Sequence, residues 1–191
     1  MPRFHVQQKI TPFQNTYRVF GDADGQPGPM FAFAKQKRMA FKEQFTLYGD
    51  ESGSHAVLTI AADRRLDVRS TMTVRDPAGA VVGQLRKRGA ASLLRSTWEL
   101  DQPGLAPVVV QERSLAVALL RRVWDLIPYA SSIPVPWVFH FDGTDPSGRT
   151  VLTHTRLWGI RDRYVLDVQD PAVDDRLAIA LAICLDAMQK R

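Results

Sequence analysis

Apolar and polar side chains alternate with a period of two along much of the chain. In 66–75, LDVRSTMTVR, Leu66, Val68, Ser70, Met72 and Val74 face one way and Asp67, Arg69, Thr71, Thr73 and Arg75 the other. LLRSTWEL sets Leu94, Ser96, Trp98 and Leu100 against Arg95, Thr97 and Glu99. WVFHF puts Trp137, Phe139 and Phe141 on one face, and IRDRYVLDV does the same with Ile160, Tyr164, Leu166 and Val168. Alternation of this kind marks antiparallel strands with one buried and one wet face. Turn chemistry separates the runs at 21–29, 48–54, 76–79, 101–104 and 142–148, where Gly, Pro, Asp and Ser cluster. Asp76-Pro77-Ala78-Gly79 gives the clearest hairpin. The spacing predicts about ten to twelve strands, as in an all-β sandwich or barrel.

Two segments break the pattern. Residues 114–128 open with Ser114 as an N-cap and stop at Pro128, which suits a short helix or a strand running into a helical turn. The second break lies at the C-terminus, where nine apolar residues run from Leu177 to Leu185. Asp170 as N-cap and Pro171 at the first helical position predict a helix over about 171–190. On a helical wheel Leu177, Leu181, Leu185 and Met188 fall on one side and Ile179 and Ile183 on the other, with alanines and Cys184 between. A surface helix needs a polar stripe, and this one has none for two and a half turns. Nine residues span about 14 Å, roughly half a bilayer core. Crossing would also place Asp174, Asp175 or Asp186 in hydrocarbon. The segment is therefore expected to be a core helix surrounded by the strands, not a membrane span.

The chain of 191 residues shows no internal repeat or linker, so one domain over 1–191 is expected. Its start has no apolar h-region, so no secretory signal is expected and the site of action is taken as cytoplasmic or peripheral at the inner membrane surface. With one cysteine there is no disulfide framework. The net charge of +5 is uneven: residues 1–100 hold 15 Lys and Arg against 9 Asp and Glu, residues 101–191 hold 10 against 11. Lys35, Lys37, Arg38 and Lys42 cluster beside Phe33 and Phe41, and Arg86 and Arg88 share a strand face. Such groups suit phosphate oxygens; they equally suit a strand edge kept soluble by charge.

No catalytic constellation stands out. His140 and His154 could meet across the 142–148 turn near Asp142, yet two solvent-facing strand histidines fit the pattern better. No HExxH, CxxC or full EF-hand spacing is present, so no metal or other cofactor is expected. Cys184 sits among apolar neighbours as an inert thiol. Phe31, Phe33, Phe41 and Phe45 read as a core-facing stripe and not a base-stacking platform, so no nucleic acid is expected.

A many-stranded barrel closed round a hydrophobic C-terminal helix resembles the tubby C-terminal-like superfamily, which includes tubby-like proteins, phospholipid scramblases and LURP-one-related proteins. The features that carry the resemblance are residues 17–50, the hairpin STMTVRDPAGAVVGQLRKR, and WGIRDRYVLDV followed directly by the helix. The arginine-, alanine- and valine-rich composition suggests a bacterial member. The resemblance implies a mainly β single domain, a closed antiparallel barrel round a buried helix. It also implies a non-enzymatic module that meets an anionic phospholipid or another phosphorylated ligand, with Lys35, Lys37, Arg38, Lys42, Arg86 and Arg88 as candidate contacts. The alternative is a scaffold for a protein partner with no lipid role. The chain lacks the Pro-rich arm and cysteine cluster of scramblases and has no calcium loop, and no tubby lipid-binding residue transfers by alignment.

Overall fold

The computed structural model describes residues 1–11, 14–37, 44–62, 71–88, 96–114, 140–158 and 162–189, with the backbone only at 10, 14, 36, 37, 44, 188 and 189. These hold twelve strands: β1 (Arg3–Ile10), β2 (Gln14–Ala23), β3 (Gln26–Lys37), β4 (Gln44–Tyr48), β5 (Ala56–Ala62), β6 (Thr71–Arg75), β7 (Val81–Lys87), β8 (Thr97–Asp101), β9 (Val108–Glu112), β10 (His140–Thr144), β11 (Thr150–Leu157) and β12 (Arg163–Val168). Each pairs antiparallel with its neighbours in sequence, and β1 pairs with β12, which closes the barrel. The helix α1 (Asp175–Gln189) follows.

A barrel of twelve strands encloses more room than its inward side chains can fill. The helix fills it. Residues 177–186 of α1 are all buried, Leu177 to Leu185 at no more than 2% exposure. The inward positions of the strands meet them: Val6, Val19, Leu58, Val74, Leu85, Leu100, Val110, Leu152 and Leu166 all belong to this core. Each large aliphatic side chain so buried contributes about 1.5–3 kcal/mol. Gly83 shows how closely the wall approaches the helix: a Cβ there would lie 2.5 Å from Leu177 Cδ2 and 2.6 Å from the Asp101 carbonyl oxygen. The Asp76–Gly79 hairpin forms as expected, with Asp76 accepting from the Gly79 N–H at its carbonyl and from the Ala80 N–H at its side chain.

Three expectations are corrected. The helix starts at Asp175, not Pro171. Asp170 spends its side chain on the Ala172 N–H and on Arg149, making a turn, while Gln102 holds the Ala172 carbonyl and the Asp174 N–H. Asp174 is the cap, accepting from the Arg176 N–H at 2.8 Å. Second, residues 21–29 are mostly strand. The turn is only Asp24 and Gly25, both with positive φ (52° and 79°), the pairing that suits a two-residue hairpin. Third, Phe31 and Phe33 are not a core stripe. Ala32 and Ala34 face the core, opposite Val19 and Tyr17. Phe33 therefore faces outward, buried beneath Lys35 (Nζ 5.2 Å from the ring centroid) and Arg18 (5.8 Å). Phe31 lies at a break in register and packs edge-on to Phe4. Phe45, in contrast, does pack against the core. The segment 115–139, Phe41, and the outer halves of the runs at 66–70, 94–95 and 160–161 lie outside the described residues.

Candidate functional site

A meander brings alternate connections to the same end of the barrel, so its two ends can be compared directly. One end carries the turns after β2, β4, β6, β8 and β10, the N-terminus and the entry to α1. Residues 1–3, 21–26, 48–56, 75–81, 100–107, 144–150 and 167–176 make this end and hold eleven Asp and Glu against four Lys and Arg. Acids suit these places: Asp145, for instance, accepts from the Ser147 and Arg149 N–H groups and the Ser147 hydroxyl, which holds its carboxyl at about 2. Asp174 and Asp175 also sit where the positive end of the helix dipole favours anions.

The opposite end is basic. Its described strand ends carry Lys9, Lys35, Lys37, Arg86, Lys87, Arg88, Arg113, Arg156 and Arg163 against Glu99, Glu112, Asp162 and Asp186. Glu112 and Asp186 are buried inside the barrel, so the outer surface of this end has a strong excess of cations. Leu157 and Trp158 lie at the same end, Trp158 at 68% exposure.

The sequence-chosen cations divide accordingly. Lys35 lies on the outer face of β3, level with Thr16 of β2 and, beyond it, Lys9 of β1. Lys37 ends β3, while Arg38 and Lys42 lie outside the described residues. Arg86 and Arg88 are exposed on and beside β7; Arg88 donates to Glu99 at 2.8 Å, and Arg86 stands level with the same carboxylate. Strands β4, β5 and β6 separate the two groups, four inter-strand steps or roughly 19 Å along the sheet. They share an end of the barrel but cannot grip one small anion. Lys9, Arg156, Arg163 and Trp158 escaped the sequence reading, because each gains its place only when strand ends are matched.

The histidines do not meet. His140 stands level with Thr155 and bonds its hydroxyl at 3.1 Å on the outer face, where burial and then Arg113 lower its pKa. Asp142 is taken by both nitrogens of the Arg113 fork. His154 faces inward, contrary to expectation, at 3% exposure. Its ring stacks on Tyr164 with centroids 5.0 Å apart, and Nδ1 has no hydrogen-bond partner among the described residues. Beside it lies a polar cluster round the end of α1. Gln8 donates to Tyr17 Oη at 3.0 Å, Tyr17 donates to Asp186 Oδ2 at 2.9 Å, and Tyr164 donates to Asp186 Oδ1. Burial and then the Asp186 charge push both phenols well above their ordinary range. Cys184 is fully buried against Met72, which raises its thiol and leaves it inert. Among the described residues no group of three His, Cys, Asp or Glu is placed to hold a metal ion.

His154 makes stability depend on pH. Burial pushes its imidazolium down to about 4, whereas the unfolded chain takes up that proton near pH 6.5. Stability is therefore full above about pH 6.5 and is lost as pH falls toward 4, by up to about 3 kcal/mol. Urea midpoints between pH 7 and 4.5 should fall with acid in the parent. They should fall distinctly less in His154→Phe, which keeps the stacking and removes the proton site; equal slopes would exclude the histidine as the cause.

A search of curated protein sequences returned no match. A family model does match: that of the LURP-one-related proteins, over residues 30–186. The match takes in β4 to β12 whole, most of β3, and α1 to Asp186, and the LURP-one-related family is part of the tubby-like superfamily. With the closed barrel, the enclosed helix and a matched stretch covering most of its length, the chain belongs to the LURP-one-related family.

Proposed function

We propose that this protein is a non-enzymatic binding module that meets an anionic phospholipid surface end-on, through the basic end of its barrel. The carrying observation is the opposition of charge between the two ends, with Lys35, Lys37, Arg86 and Arg88 at the cationic one. Arg38 and Lys42, between β3 and β4, are assigned to the same contact. A planar surface suits cations that ring a barrel end some 19 Å apart better than a compact ligand does. Each Lys or Arg near an anionic leaflet contributes about 1 kcal/mol, and an exposed Trp beside them suits the membrane interface. Attachment is peripheral: no described helix is long and apolar enough to cross a membrane, and outward strand positions such as Lys35, Arg86, Glu99 and Asp142 are not the apolar band of a membrane barrel.

Flotation with vesicles of phosphatidylcholine alone, and with added phosphatidylserine or phosphoinositide, tests this. Binding should require the anionic lipid and fall with salt. Lys35→Glu with Arg86→Glu should weaken it at least about tenfold. Arg75→Glu, one such charge reversal at the acidic end, should leave it nearly unchanged. Equal, negligible binding to neutral and anionic vesicles would overturn the proposal.

A further inference from the structure

A cavity of about 290 Å³ lies on the side of the barrel, between the outer face of β1 and β12 and the tip of the β2–β3 hairpin. Its roof is the turn at Gly25, Gln26 and Pro27. Two bonds hold that roof in place: Asp22 accepts from the Gly25 N–H at 3.1 Å, and the same carboxylate meets His5 Nε2 of β1 at 2.7 Å. The floor carries Arg163, with Gln7 and Leu157 level with it on either side and Val165 two residues on.

The charges in this cavity do not balance. Arg3 is paired with Asp167 and His5 with Asp22. Seven of the ten arginines whose side chains are described bond a carboxylate, Arg75 bonds a carbonyl, and Arg86 stands level with Glu99. Arg163 has no such partner among the described residues. Its neighbour Asp162 is taken by Arg156 at 2.7 Å. A guanidinium without a carboxylate partner among the described residues thus lines the cavity, itself exposed to solvent, beside a side-chain amide and an apolar patch.

We propose that this cavity binds one small organic oxyanion, a carboxylate or a phosphate monoester. The anionic group would pair with both edges of the Arg163 fork and accept from Gln7, and a short carbon body would lie on Leu157 and Val165. The internal pairing of Arg3 and His5 leaves one positive charge to match, so the ligand carries a single anionic group. Two walls, from β1 and the hairpin tip, come from residues ahead of the matched family stretch. It shares Arg163 and Leu157 with the basic end of the barrel but none of Lys35, Lys37, Arg86 and Arg88.

The test is an amide-resolved NMR titration of the full chain with inorganic phosphate, butyl phosphate, butyrate and, as the cationic control, butylammonium. Saturable shifts confined to residues 5–7, 25–26 and 163–165 are expected for the anions, with Kd on the order of millimolar, and none for butylammonium. Tighter binding of butyl phosphate names a phosphate ester as the ligand class; tighter binding of butyrate names a carboxylate. Arg163→Gln should weaken binding at least tenfold. Leu157→Glu, which supplies a carboxylate to the same fork, should do likewise, while Lys35→Glu with Arg86→Glu should leave it intact. No saturable shift with any anion, or unchanged titrations in both Arg163→Gln and Leu157→Glu, would overturn the site.

Discussion

Leu181→Asp is expected to unfold the protein. Leu181 lies midway along α1 at 1% exposure, with Leu177 and Leu185 buried one turn on either side. The substitution removes a core side chain, about 2–5 kcal/mol, and leaves a carboxylate in a closed apolar space, a further several kcal/mol. A domain of this size has about 5–15 kcal/mol to lose. A circular-dichroism melt should show no cooperative transition at 25 °C or above, and size exclusion should show an expanded or aggregated species. The same change in a helix used for docking would leave the barrel folded and remove only the partner. A cooperative melt near that of the parent would therefore remove α1 from the core.

That helix was legible in the sequence for a simple reason. Burial on all sides requires apolar residues on all sides, and no neighbouring strand has to be known to see it. The strand runs were legible on the same ground, one at a time: Met72 and Val74, Trp98 and Leu100, and Tyr164, Leu166 and Val168 all point inward as their alternation says. What failed needed a second element. Asp170 looked like a cap because Pro171 follows it, but Arg149 and Gln102, from two other turns, hold that stretch out of the helix. Phe33 is buried as expected, yet the inward face of β3 belongs to Ala32 and Ala34, and Phe33 lies on the outer face beneath Lys35 and Arg18. His154 looked solvent-facing, and one step of register against Phe141 turns it inward. The candidate sites follow the same division. Lys35 and Arg86 were visible as charged residues, but the basic end of the barrel and the cavity at Arg163 exist only through strand pairing across the fold.

Asp186→Ala is expected to cost about 3–5 kcal/mol, although alanine is the better helix former. Asp186 is buried at 4% exposure, and its two oxygens accept from Tyr17 and Tyr164, on the opposite sides of β1 in the sheet. Truncation leaves two phenols inside an apolar barrel without the acceptor that holds them, each at about 1–3 kcal/mol, and opens a small void. Tyr17→Phe and Tyr164→Phe should each cost less, about 1.5–3 kcal/mol, because the carboxylate keeps the other donor. The triple change Tyr17→Phe, Tyr164→Phe and Asp186→Leu removes donors and acceptor together. It should cost far less than the single changes added up, since no charge then needs solvating. Urea midpoints across this set decide the matter: a triple variant at least as unstable as Asp186→Ala would mean that the cluster stabilises the fold outright. A triple variant near the parent would give the carboxylate another role, since an apolar rod inside an apolar barrel can slide or rotate. In that outcome the role is to fix the depth and rotation of α1, through one hydrogen-bonded acid reaching strands on both sides of β1.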